Sequence, residues 1–268
     1  MKKIILILTL GFLVTSIVIA ASSATMVFGY VKTKTPTSRK YKLISVTSFG
    51  TNDSVHIQAA IPNVGDLNAS TRKRKADKIF IWNGRSYRRY GLYNDHGTNT
   101  FWMAFSSSGW RSSAQAHPAD VTLLRQDAVF FKTGRNGASH NIVLAGNVRN
   151  DKHFDVSVGG GLSLLAYPFT SSINLTDLVV SNATASRIKR RADKISFYDG
   201  TSYKRYALYD DHGTNSFWML TSSIGWRIRS QATPTSVEIP LGTGFWYTSV
   251  DGAKTIGFDQ NYTLDGYE

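Results

Sequence analysis

The sequence predicts an all-β protein: two tandem homologous domains, each an antiparallel β-sandwich or partly open barrel, behind an N-terminal leader. Three observations predict this. The chain repeats itself at a single long offset. Its hydrophobic runs are short, β-branched and aromatic, and are punctuated by turn dipeptides. No stretch beyond the leader holds an amphipathic helical period for three turns.

Ala76-Asp77-Lys78-Ile79 recurs as Ala192-Asp193-Lys194-Ile195, Asp95-His96-Gly97-Thr98-Asn99 as Asp211-His212-Gly213-Thr214-Asn215, and Gly109-Trp110-Arg111 as Gly225-Trp226-Arg227. Each pair is 116 residues apart, and 27 of the 43 positions from Ala76 to Pro118 match. Solenoid repeats run to roughly 20–50 residues; a period of 116 is the size of a small domain. The edges of the repeat place the division. Phe28-Gly29-Tyr30-Val31 resembles Leu144-Ala145-Gly146-Asn147-Val148, and Leu43-Ile44-Ser45-Val46 resembles Leu164-Leu165-Ala166-Tyr167. Copy one is thus expected at 25–145 and copy two at 146–268, with no flexible Pro/Gly/Ser-rich linker between them.

Within each copy, Ile79–Trp82 or Ile195–Tyr198 reads as a strand. Asn83-Gly84 or Asp199-Gly200 follows and suits a type I′ hairpin. The returning strand carries Tyr87, Tyr90 and Tyr93, or Tyr203, Tyr206 and Tyr209. A second hairpin is expected from Val129–Phe131 through Gly134–Gly137 into Asn141–Leu144. Its partner runs from Phe245–Tyr247 through Asp251-Gly252 into Thr255–Phe258.

The first 24 residues read as a signal peptide. Lys2 and Lys3 are basic, Ile4 to Ala20 is almost wholly apolar, and Ala20–Ala24 supplies small residues for cleavage. An uncleaved anchor is the alternative, since the apolar run is long enough for a spanning helix. No later run is that long, so the cleaved chain is expected to have no transmembrane span and to be secreted, periplasmic or at the cell surface. The chain has no cysteine, which excludes disulfides, thiolate metal sites and a Cys nucleophile.

The formal charge of +13 falls to +11 without Lys2 and Lys3. It points toward a polysaccharide or another anionic polymer as partner, with nucleic acid ranked behind; plain solubility explains it equally well. Two basic runs occupy equivalent places: Arg72, Lys73, Arg74 and Lys75 in copy one, and Arg187, Lys189, Arg190 and Arg191 in copy two. With tyrosines nearby they could track a polyanion, or they are solvated loops. Trp110 and Trp226, each followed by an arginine, Arg111 and Arg227, are candidates for stacking on a ligand such as a sugar face. The alternative is core packing.

Asp95 and His96, with Asp211 and His212, could ligate a metal. A tight turn explains them better, because Asn and Asp bond their own backbone and the glycine supplies positive φ. No Gly-x-Ser-x-Gly elbow, phosphate-cradling loop or His-Glu-x-x-His occurs, and the sequence nominates no catalytic residue and no cofactor.

The pattern Ala-Asp-Lys-Ile, then Gly-Trp, then Gly244-Phe245-Trp246-Tyr247 resembles a class of uncharacterised exported bacterial proteins with tandem β-domains. Copy one departs from it where Ala128-Val129 replaces Gly244-Phe245. The resemblance implies a fold and an exported location, and transfers no functional residue. The reading that results is a non-catalytic surface or extracellular protein that binds carbohydrate or another anionic polymer. The alternatives are a secreted polysaccharide hydrolase with a site between the domains, and a purely structural surface module. Oligomeric state is left open.

Overall fold

The computed structural model describes residues 28–262, apart from 38–39, 46–52, 62–63, 96, 98, 136, 150, 199–200, 212 and 214. The leader at 1–24, and His96 and His212, lie outside the described residues. Among the described residues no helix is long and apolar enough to cross a membrane.

The first unit contains β1 (Phe28–Lys34), β2 (Tyr41–Ser45), β3 (Ser54–His56), the four-residue α1 (Ile57–Ala60), β4 (Lys78–Trp82), β5 (Tyr87–Asp95), β6 (Asn99–Ala104), β7 (Thr122–Leu124), β8 (Ala128–Lys132) and β9 (Asn141–Asn147). The second contains β10 (His153–Val158), β11 (Gly161–Ala166), β12 (Ile173–Asn174), β13 (Val179–Ser181), β14 (Lys194–Tyr198), β15 (Tyr203–Asp211), β16 (Asn215–Leu220), β17 (Glu238–Ile239), β18 (Gly244–Ser249) and β19 (Lys254–Asp259). Each unit has a five-stranded antiparallel sheet, β2-β8-β4-β5-β6 in one and β11-β18-β14-β15-β16 in the other. Smaller sheets complete each unit: β1-β9 and β3-β7, or β10-β19-β13 and β12-β17. The architecture is all-β and sandwich-like, with no closed barrel among the described residues. From β4 to β6 the matching strands keep the 116-residue spacing of the sequence repeat.

Strand alternation explains the buried runs in the five-stranded sheets. In β8, Val129 and Phe131 enter the core of the first unit, while Ala128 and Phe130 point the other way. In β18, Phe245 and Tyr247 enter the second core, while Trp246 joins Phe130. Both faces of these strands are therefore covered.

Three expectations need correction. β8 does not pair with β9, and β18 does not pair with β19; β9 crosses to pair with β1, and β19 with β10 and β13. The Gly134–Gly137 and Asp251-Gly252 segments are thus crossovers between sheets. The Asn83-Gly84 turn is not type I′. Trp82 pairs with Tyr87, so the loop has four residues. Only Gly84 has positive φ, and the Asn83 side chain accepts from the N–H groups of Arg85 (3.0 Å) and Ser86 (2.8 Å). Gly29 and Gly146 are not repeat equivalents but direct partners in the β1–β9 ladder. That ladder runs to Asn147.

An aspartate before the first strand of each repeated β-meander holds two distant segments together. Fully buried Asp77 accepts from the N–H groups of Asn68 (2.9 Å) and Gly134 (2.7 Å). Burial pushes its carboxyl upward, against these hydrogen bonds. Asp193 accepts from the N–H groups of Thr184 (3.0 Å) and Val250 (2.9 Å), and from the Tyr247 hydroxyl (2.7 Å).

The two units meet through the outer faces of their five-stranded sheets. Leu43, Ala128 and Phe130 pack against Leu164, Ala166 and Trp246. The Ser45 N–H donates to the Gly242 carbonyl (2.9 Å), and the Ala166 N–H donates to the Gln126 carbonyl (2.7 Å). Gln126 and Gly242 are repeat equivalents, and Ser45 and Ala166 oppose the equivalent residues Ala128 and Gly244. The contact therefore has approximate two-fold symmetry within one chain. Arg125 adds an asymmetric anchor. Its buried guanidinium donates to the Pro168 carbonyl (3.2 Å) and to Asp151 (2.9 Å), and lies over the rings of Phe154 (4.3 Å) and Phe169 (4.8 Å).

Candidate functional site

The seam between the units opens at one side into an aromatic hollow of about 360 Å³, lined by Tyr41, Phe80, Tyr87, Phe130, Tyr198 and Tyr203. Strand geometry puts them there. Phe80 and Phe130 occupy paired positions on the outer face of the first sheet. Tyr87 and Tyr203 begin the equivalent strands β5 and β15 of the two units. Tyr41 lies 5.5 Å from Phe80, Phe130 lies 5.8 Å from Tyr198, and Tyr198 lies 5.0 Å from Tyr203. Trp82 and Trp246 meet edge to face at 5.3 Å and pack against Tyr87. Tyr41, Tyr87 and Tyr203 remain exposed.

The hollow shares Tyr41 and Tyr198 with a wider cleft of about 800 Å³ that also runs between the units. Both volumes lie in the ordinary range for small-ligand sites, about 300–1,000 Å³. Lys40, Lys42 and Lys204 line the cleft, and Glu238 is the carboxylate that lines it among the described residues. Lys42 Nζ donates to the Lys34 carbonyl (3.0 Å), and burial lowers its pKa. Lys132 Nζ donates to the Tyr41 hydroxyl (2.8 Å) and stands 4.2 Å from its ring centroid, which fixes that ring. Burial, with Tyr203 adding to it, pushes the Tyr87 hydroxyl upward, so it is a neutral hydrogen-bond donor at physiological pH.

The residues nominated from the sequence lie elsewhere. Trp110 donates its indole N–H to the Ala104 carbonyl (2.8 Å) and packs edge-on to Tyr93; Trp226 does the same with Leu220 (2.9 Å) and Tyr209. Both are half-buried, while Arg111 and Arg227 beside them are exposed. The two basic runs form equivalent surface turns before β4 and β14. Lys73 donates to the Phe105 carbonyl (2.6 Å) and Lys189 to the equivalent Thr221 carbonyl (3.1 Å). Arg72, Arg74 and Lys75 are exposed, as are Arg187, Arg190 and Arg191.

The acidic segments are tight turns joining β5 to β6 and β15 to β16. The Asn94 side chain accepts from the Gly97 N–H (2.5 Å), and the Asp210 side chain from the Gly213 N–H (2.7 Å); both glycines have positive φ. Asp95 faces Asn99 across the ladder, and Asp211 is ion-paired with Arg229 at 3.1 Å.

No family model, curated protein or solved structure matches this chain.

Proposed function

We propose that this chain is an exported, non-catalytic surface or extracellular protein that binds an anionic polysaccharide in the cleft between its two units. The hollow of six aromatic rings carries the reading. Exposed tyrosines drawn from both units offer ring faces for sugar stacking and hydroxyls for hydrogen bonds. Lys40, Lys42 and Lys204 beside it supply the charge that an acidic glycan would meet. The exported location rests on the leader and on the resemblance to exported tandem β-domain proteins. Glycoside hydrolysis commonly needs two carboxylates; among the described residues Glu238 is the one that lines the cleft, which favours binding over hydrolysis.

A glycan array identifies the ligand, and titration of Tyr87→Ala and Tyr203→Ala against it tests the site. Each variant is expected to weaken binding roughly tenfold, equivalent to about 1.4 kcal/mol. Replacing Lys40 and Lys204 by Ser should flatten the salt dependence. A blank array, or affinity indifferent to both tyrosines, overturns the reading.

A further inference from the structure

The units diverge at one place where their backbones agree. In the second unit, a groove of about 640 Å³ lies between the basic turn and the 3₁₀ turn Ile224–Trp226. It is lined by Arg187, Ile188, Lys189, Thr221, Trp226 and Arg227 among others. Two exposed isoleucines line it, Ile188 at 44% and Ile224 at 56%, and a third, Ile228 at 42%, follows the lining residue Arg227 in the chain. Ile224 and Ile228 belong to one turn, the Ile228 N–H donating to the Ile224 carbonyl (3.0 Å). The equivalents in the first unit are Arg72, Ser108 and Ser112. The first unit also carries Phe105 in place of Thr221. That ring packs 5.7 Å from Trp110 and draws Lys73, Lys78 and Arg89 over itself. One unit fills its groove and rims it with polar residues; the other leaves it open and rims it with isoleucines.

We infer that this face of the second unit docks on an anionic lipid bilayer. Arg187, Lys189 and Arg227 engage headgroup phosphates, while Ile188, Ile224 and Ile228 enter the boundary between headgroups and acyl chains. Charge complementarity selects the surface, because Arg187, Lys189 and Arg227 line the same groove as Ile188 and Ile224, and Ile228 follows Arg227 directly in the chain. Arg229, just beyond, is already engaged by Asp211. The isoleucines come from two short turns, so they present separate points instead of a strip along a sheet edge or helix. A fluid surface accommodates points of that kind.

The first unit supplies the test, because its residues already suit the same turns. The chain from residue 25, which keeps every described residue and lacks the apolar leader, is sedimented with two kinds of vesicle: phosphatidylcholine alone, and phosphatidylcholine mixed with phosphatidylglycerol. Binding only to the mixed vesicles is expected. The triple variant Ile188→Arg, Ile224→Ser, Ile228→Ser should bind them at least tenfold more weakly, although it carries one more positive charge. Arg187→Ser with Arg227→Ser should weaken binding as well, and more so at low salt. Thermal melting of both variants should match the parent. Equal or stronger binding by the triple variant would reduce the contact to charge alone and overturn the inference. Equal binding to both vesicles, no binding to either, or capture only by an acidic protein would also overturn it. Glycan binding at the inter-unit cleft is a separate readout that neither variant should change.

Discussion

Ala128 and Gly244 are repeat equivalents that touch each other. A Cβ built on Gly244 would lie 2.3 Å from the Ala128 Cβ and 3.0 Å from Leu43 Cγ. The approximate two-fold axis passes between them, and there is room for one methyl group, not two. Gly244→Ala should therefore destabilise the protein by about 1–3 kcal/mol, the usual cost of overpacking. The exchange variant Ala128→Gly, Gly244→Ala should recover most of that loss. Urea midpoints of the three proteins check it.

The buried aspartates give a second prediction. Asp193→Ala leaves the Thr184 and Val250 N–H groups and the Tyr247 hydroxyl without their acceptor, and should cost about 3 kcal/mol. Tyr247→Phe, which installs the residue the first unit has at Phe131, removes a donor and its share of the bond together and should cost about 1 kcal/mol. Unfolding of the two variants in denaturant separates these values.

Stability should depend on pH through His153. Its Nδ1 lies 2.6 Å from Asp259 and its Nε2 2.9 Å from Asp155. Two carboxylates can both accept only from a doubly protonated ring. The hydrogen bonds to Asp259 and Asp155 raise its pKa above 6.5. The stabilisation is fully present below the unfolded pKa and is lost as pH rises through the raised folded value. Melting temperature should therefore fall across that interval in the parent, and this component of the fall should vanish in His153→Gln.

Trp110→Phe should lower stability by about 1 kcal/mol, since the Ala104 carbonyl loses its indole donor. Glycan affinity should not change, because Trp110 lies outside the inter-unit cleft. An affinity loss with unaltered stability would return Trp110 to the binding site.

The sequence made the local features legible. The β4 and β5 strands and the Asn94–Gly97 and Asp210–Gly213 turns depend on neighbours in the chain, and the 116-residue offset needs only a comparison of the sequence with itself. What it concealed depends on partners far away. Val129–Phe131 and Asn141–Leu144 look like the arms of a hairpin, because periodicity reports that a strand exists and not which sheet receives it. Gly29 and Gly146 resemble copies because both sit in similar strands, yet they are partners in one ladder. The aromatic hollow was invisible for the same reason. Tyr41, Phe80, Tyr87, Phe130, Tyr198 and Tyr203 are scattered over more than half the chain, and they converge only when two sheets meet face to face. The alternation in Ala128–Phe131 contained one usable signal: a strand apolar on both faces must be covered on both.

The near-symmetry of the seam carries a consequence for how the two halves can change. A homodimer built on this contact would place the same residue on both sides of its axis. Two alanines would collide, and two glycines would leave a void. Joining the halves in one chain removes that restriction, because residues 128 and 244 are then separate codons. It also holds the partners at a high effective concentration, so a modest contact suffices to keep them together. The same freedom lets Phe105 close a groove in one half while Thr221 leaves it open in the other. Fusion thus permits a division of labour that a pair of identical subunits could not sustain.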